Sequence, residues 1–483
     1  MRAHRKTGQT HPAALDQRRE VSSTQVIVVA SALVFLAVYL RSPFRWWYED
    51  DPAQYATAAA IANPLKIFTD PAVVRRFGTG ASLVPMQLLS YWCDVHLFGI
   101  SATAAYLHSL LSTLVTTALL LTLLSRLTRD PTGAGVLAIL WLALPSTIAV
   151  QYFLATRHYI EGFAWSLAAC LLLESLCSGS VRRGRVLLYA GLWVCAAAAL
   201  LSKELYVTLL PAWIAGYSLK RRRYGIAIAA VGLAAAYSGY RLVVLGTHAA
   251  YTPRLLGSQE YLRYLAVLPF TLTASYGGYI YYGALLCGAV ALALMRPHAG
   301  SKTLLIGALL FLAALIPQYP TVGAALLTFR TPGTWYRAVF LSNGMALLFG
   351  GYLLLRFAGR RWQALALAIL LAILLPGVVA TRHYWDARFR RSEAEGRFYL
   401  ANPEKLVYSE EDAAWFLHGL DRLYRVPRSH YISKLELVSP QTKQLLTEFQ
   451  AVWRYRNDRW SPDPALYEVL VRRNREQTPV RSF

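Results

Sequence analysis

The stretch Arg45 to Tyr55, RWWYEDDPAQY, follows directly on an apolar run and sets three acids side by side, Glu49, Asp50 and Asp51. The surroundings are neither acidic nor polar. The chain has 483 residues, 56% of them hydrophobic, a mean hydropathy of +0.36 and a net charge of +23, with only 16% charged residues. A soluble domain carries about 25% charged residues, so the deficit marks a membrane protein. Adjacent carboxylates at the exit of the first membrane-length segment therefore need a location before they can be given a role.

Working outward, about eleven runs approach the roughly 20 apolar residues that cross a bilayer. They cover 22–40, 103–124, 132–150, 160–177, 186–201, 205–219, 224–245, 275–295, 303–318, 338–355 and 362–380. The fifth and sixth are short, as expected of half-buried spans or a locally thinned bilayer. The linkers SRLTRD, SGSVRRGR, KRRR, RPHAGSK and RFAGRR all fall on one side, with the basic tail 1–24. The positive-inside rule makes that side cytoplasmic. The excess of basic residues thus reads as topology, and no nucleic-acid partner is expected. Some 24 mostly polar residues precede the first run with no clear cleavage site after it, so that run is expected to remain as an anchor.

The stretch 82–99, SLVPMQLLSYWCDVHLFG, would invert every later linker if it crossed; it is expected in the interface or as a re-entrant helix, with Trp92, Asp94 and His96 at headgroup level. The first external loop is then 41–102, the membrane domain 25–380, and the polar tail 381–483 an extracytoplasmic C-terminal domain, with helix-like segments such as SEEDAAWFLHGLDRLYR. The fold class expected is an all-α polytopic membrane protein with interfacial helices in its first external loop, in a bacterial inner (plasma) membrane, N-terminus cytoplasmic and C-terminus extracytoplasmic. The five cysteines lie mostly in apolar runs and form no CxxC pair, which reads as packing.

On this topology the acidic triplet lies outside, at the membrane surface. A carboxylate there can serve as a general base or hold a cation. It can also be a solvated loop acid, with Asp51-Pro52 opening a helix as N-cap and first residue. Other polar residues at membrane depth are functional candidates because they are costly there: Lys203 and Glu204 at the tip between two short spans, and Arg337 in TPGTWYRAVFL. Arg157 and Arg330 offer weaker versions of the same cation. Each also has a plainer reading, as a local ion pair, a snorkelling side chain or an interfacial anchor. YGGYIYYG (Tyr276–Gly283) reads as an aromatic belt, and WRYRNDRW in the tail as a folded amphipathic surface.

In order, the acidic pair of DDPAQYATAAAIANP with a tyrosine four residues on, the LFG turn before the second span and the SKE of LLSKELYVTLLP resemble the GT-C superfamily of integral-membrane glycosyltransferases, with TRHYIEGF as a departure from its pattern. That superfamily includes the protein O-mannosyltransferases and the aminoarabinose transferase acting on lipid A. The resemblance covers about residues 25 to 220 well and 320 to 355 loosely. It implies a GT-C-like fold, a polyprenyl-phosphate-linked sugar as donor, a lipid, glycan or protein acceptor, and membrane lipids around the site. It maps the acceptor-activating aspartate to Asp51 by the spacing to Tyr55, with Asp50 as the other register. It puts Lys203, Arg337 and Arg157 at the donor phosphate and Glu204 near the acceptor. His158 or Glu161 stands where many relatives carry a second acid. No cofactor is certain: the first loop has no DxD, which weakens the case for a tightly held metal, and a divalent cation stays open. The expected reaction is transfer of a single sugar on the external face with inversion. Two other readings are a lipid-linked polysaccharide polymerase or ligase, and a non-enzymatic lipid or glycan transporter.

Overall fold

The computed structural model describes residues 29, 31–45, 47–48, 51–76, 82–178, 184–246, six positions between 340 and 355, 360–401, 406–409, 452–456 and 459–465. The first helix, α1, covers 31–39. A short 3-10 turn at Ser42–Phe44 leads into the first loop, which holds α2 (Asp51–Ala59), α3 (Lys66–Thr69), α4 (Pro71–Arg76) and α5 (Pro85–Phe98). The bundle follows: α6 (Ala102–Thr128), α7 (Pro131–Leu142), α8 (Pro145–Tyr152), α9 (Arg157–Ser178), α10 (Arg185–Ser202), α11 (Leu205–Lys220), α12 (Tyr224–Leu245) and α13 (Arg360–Ala401).

Local chemistry sets the helix ends. The Ser101 side chain accepts the Ala104 amide at 3.3 Å and opens α6; Asp130 accepts the Gly133 amide at 2.9 Å and opens α7, with Pro131 behind it. Capping oxygens satisfy amides that no earlier turn can reach, and proline is best tolerated where its missing N–H is not needed. Along α6, Thr113, Thr116 and Thr117 return their hydroxyls to carbonyls four residues back, which removes the polar cost of placing them at membrane depth.

Among the described residues four helices are long and apolar enough to cross a membrane: Ala102–Thr128, Leu154–Ser178, Arg185–Ser202 and Tyr224–Leu245. All four were expected. The fifth candidate departs from expectation. The run 132–150 is not one straight span but α7 and α8, bent by 55° where Pro145 begins a new helix. At 16 residues α11 rises only about 24 Å, short of a hydrocarbon core of about 30 Å. The expected spans 275–295 and 303–318, with YGGYIYYG, lie outside the described residues. Of 338–355, Phe340, Leu341, Gly344, Leu347, Gly351 and Leu355 are described, all helical.

Neighbours pack as α6–α7, α6–α9, α9–α10 and α11–α12, with α13 against α7 and α8. Two glycines admit close approaches. A Cβ at Gly162 would lie 2.4 Å from Tyr206 Cε2, and one at Gly351 2.4 Å from Leu137 Cδ1. The alternation of direction sorts the connections into two ends. Arg126, Arg129 and the Lys220–Arg223 turn lie at one, the basic end; the first loop, the α8–α9 connector, the Lys203–Glu204 tip and the close of α12 lie at the other, the loop end.

α13 does not stop near residue 380, where its apolar sequence ends. It continues to Ala401, 42 residues in all, or about 63 Å. The tail is not wholly helical either. Leu406–Ser409 (β1) pairs in parallel with Val452–Arg456 (β2), which pairs antiparallel with Arg459–Pro462 (β3). The described parts of WRYRNDRW, 453–456 and 459–460, are therefore strand, while SEEDAAWFLHGLDRLYR lies outside the described residues.

Candidate active site at the loop end

Asp51 begins α2 and is fully buried. Its Oδ2 accepts the Tyr48 amide at 3.1 Å and its Oδ1 the Ala155 amide at 2.7 Å. One carboxylate thus ties the start of the first loop to the α8–α9 connector. The Ala155 carbonyl accepts the Gln87 side-chain amide at 2.8 Å, which fastens α5 to the same peptide. Glu49 and Asp50 lie outside the described residues.

Beneath this loop sits a charged network around Arg157, whose side chain has no solvent exposure. Its Nη1 lies 2.6 Å from Asp94 Oδ2 and 3.1 Å from the Tyr55 hydroxyl, and its Nη2 donates to Ser90 Oγ at 2.6 Å. Nε is 2.9 Å from Glu161 Oε1, close enough for a strong ion pair but out of line for a hydrogen bond. Tyr55 donates to Asp94 at 2.8 Å, Ser90 donates to Glu161 at 2.7 Å, and the guanidinium carbon stands 4.8 Å from the centre of the Tyr91 ring. His108 completes the group: Nδ1 is 2.6 Å from Asp94 Oδ1 and Nε2 3.7 Å from Glu161 Oε1. Burial alone would raise the Asp94 carboxyl, but the His108 hydrogen bond and the Arg157 charge outweigh it and hold it below its ordinary value. Burial pushes the Tyr55 phenol well up, so it stays a proton donor.

A second group closes the flank. Glu204 Oε1 accepts the Leu83 amide at 2.8 Å and lies 2.7 Å from Arg241 Nη1; Lys203 Nζ is 3.3 Å from Glu204 Oε2 and 3.3 Å from Ser82 Oγ. Lys203 also stands 5.7 Å from the centre of the Tyr159 ring. Burial would raise Glu204, yet the Lys203 and Arg241 charges and two backbone amides keep it low.

The sequence candidates thus divide. Tyr55, Arg157 and Glu161 meet in one network, Lys203 and Glu204 in another, and Asp51 bridges toward the first through Ala155 and Gln87. His158 is buried with its ring 4.6 Å from that of Tyr159. Arg337 and Arg330 lie outside the described residues. Asp94 corrects the sequence reading: it is buried in an ion pair, not held at the headgroups, because Arg157 offers it a fixed opposite charge. Asp94, His108, Ser90 and Arg241 were not named as site residues from sequence. Among the described residues no three His, Cys, Asp or Glu side chains converge to hold a metal, and the four cysteines are free thiols.

No protein-family model and no curated protein matches the sequence. Among solved structures the chain is similar to the Archaeoglobus fulgidus oligosaccharyltransferase in complex with zinc and sulfate, at 14% identity and a TM-score of 0.46. That alignment covers 74% of this chain and 53% of the oligosaccharyltransferase. It is also similar to ArnT from Cupriavidus metallidurans bound to undecaprenyl phosphate, at 15% identity and a TM-score of 0.48, covering 93% of this chain and 95% of that one. The apo form of the same ArnT gives 16% identity and a TM-score of 0.40. All three TM-scores lie below 0.5, so the reading of this chain rests on its own residues.

Proposed function

We propose that the protein is a GT-C-type glycosyltransferase that moves one sugar from a polyprenyl-phosphate carrier to an acceptor at the external membrane face. The observation that carries this reading is the junction of an acidic loop and a cationic tip at one end of the bundle. Asp51 is anchored to the α8–α9 connector, and Lys203 reaches Ser82 of the same loop.

In the reaction an acceptor hydroxyl attacks the anomeric carbon, its proton passes to a loop carboxylate, and the bond from carbon to phosphate oxygen breaks with both electrons leaving on the phosphate. One displacement inverts the configuration. Asp51 has each oxygen committed to a main-chain amide and no exposure, which makes it the anchor of the loop. The general base is then its neighbour Asp50. Lys203 is the cation for the leaving phosphate, since stabilising developing charge is often the largest catalytic contribution. Arg157 is surrounded by protein partners and acts by positioning Tyr55 and α5, not by binding phosphate.

Transfer from a radiolabelled lipid-linked sugar in liposomes tests this. Asp50→Asn is expected to abolish turnover in a chain that still folds, Asp51→Asn to lose turnover together with thermal stability, and Lys203→Ala to slow transfer. Full activity in Asp50→Asn removes it as base, and product ladders in place of single additions favour a polymerase.

A further inference from the structure

We propose that Arg241 of α12 is a positioning residue for Lys203: it holds the Glu204 carboxylate so that the lysine stays available to the phosphate of the lipid carrier. The inference rests on the reading of Lys203 given above and extends it to a helix that sequence reasoning left without a role.

Arg241 stands one turn before the end of α12, in a span where Ile228, Val231, Leu242 and Val243 are exposed. Arg241 itself is 4% exposed. A charged side chain in a span is costly and is retained against a fixed partner or for a function. Its Nη1 lies 2.7 Å from Glu204 Oε1. The preceding residue, Tyr240, donates to the Phe68 carbonyl at 2.7 Å, so this turn of α12 is fastened to the first loop.

The two oxygens of Glu204 are used unequally. Oε1 accepts both the Leu83 amide at 2.8 Å and Arg241 Nη1. Oε2 stands 3.3 Å from Lys203 Nζ, and among the described residues no hydrogen bond is directed at it. Lys203 is therefore attracted to the carboxylate without being committed to it, and it donates to Ser82 Oγ, next to Leu83, at 3.3 Å. A carboxylate shared by two cations holds each less firmly than it would hold one. Without Arg241, Oε1 loses the nearer of its two charged partners. The carboxylate can then turn to Lys203 and form a directed, charge-assisted hydrogen bond, which withdraws the ammonium from a phosphate. Charges elsewhere in the loop act on every variant alike.

The test titrates the full chain in detergent with decaprenyl phosphate and with decaprenol, and reads affinity by native mass spectrometry. The wild type is expected to prefer the phosphate, and Lys203→Ala to lose that preference. Arg241→Gln is expected to bind decaprenyl phosphate roughly tenfold more weakly, within the coupling that neighbours in one ion-pair network show, with decaprenol unchanged. Glu204→Gln keeps the shape and an oxygen for the Leu83 amide, and is expected to bind the phosphate at least as tightly as the wild type. Glu204→Gln/Arg241→Gln removes both charges and is expected to recover most of what Arg241→Gln loses. Wild-type affinity in Arg241→Gln, weaker binding in Glu204→Gln, or a double variant as weak as Arg241→Gln overturns the inference while Lys203 keeps its role. Loss of decaprenol binding in parallel also overturns it, since that marks damage to the fold. No preference for the phosphate in the wild type, or none lost in Lys203→Ala, overturns the reading of Lys203 and this inference with it.

Discussion

Arg157 joins more of the loop end than any other described side chain, and its removal separates the consequences of burial from those of charge. Cutting one partner from a buried ion pair leaves the others desolvated and uncompensated, at about 3–5 kcal/mol. Arg157→Ala is therefore expected to lower thermal stability in detergent by about that amount, and Arg157→Lys to recover only part of it, because a point charge cannot serve Asp94, Ser90 and Glu161 together. Recovery of full stability by lysine would show that charge alone matters. Some of this network was readable in the sequence: Arg157 and Glu161 stand one helical turn apart, and Tyr55 stands one turn after Asp51. The polar stripe Gln87, Ser90, Asp94 on an otherwise apolar helix was also there to be read, and it signals burial against a polar partner better than a headgroup position. His108 had no such local sign. Its neighbours Asp94 and Glu161 come from other helices, and only the packing of α5, α6 and α9 brings them together.

The helices show which sequence signals carry weight. Starts marked by Ser101 and by Asp130 with Pro131 fall within a residue or two of expectation, since capping is decided by neighbours in the chain. The bend between α7 and α8 was missed because hydropathy sums over a run and is blind to a proline that restarts the helix. The extension of α13 was missed because the apolar run ends at Ala380 while a buried stripe, Thr381, Trp385, Phe389, goes on at a spacing of four. Close packing between α9 and α11 depends on Gly162. A methyl there meets the Tyr206 ring at 2.4 Å, and that ring is held by a 2.5 Å hydrogen bond from its hydroxyl to the Tyr159 carbonyl. Overpacking of this kind costs typically 1–3 kcal/mol, so Gly162→Ala is expected to lower stability by about that much. Gly162→Ala with Tyr206→Phe separates the two contributions: the clash persists while the hydrogen bond is absent in both members of the pair. A neutral Gly162→Ala would mean that α11 moves away freely.

At the scale of the whole molecule, the two ends differ in chemistry, and that difference predicts which end faces outward. The basic end carries Arg126, Arg129 and the Lys220–Arg223 turn with Glu174 as the recorded acid partner. The loop end carries the buried ion pairs, the anchored acidic loop and the continuation of α13. The positive-inside rule predicts the basic end in the cytoplasm, which would direct Asp51 and Lys203 outward. Single cysteines in a chain with its five native cysteines replaced test this directly. Ile100, 44% exposed, reports the loop end, and Arg223, exposed before α12, reports the basic end. In intact cells a membrane-impermeant maleimide is expected to modify Ile100→Cys and to spare Arg223→Cys until the membrane is opened. The reverse pattern places the acidic loop in the cytoplasm, where the base and the carrier headgroup would face nucleotide sugars instead. Labelling of both positions in intact cells breaks the antiparallel order of α6 to α12 on which the two-ended arrangement rests.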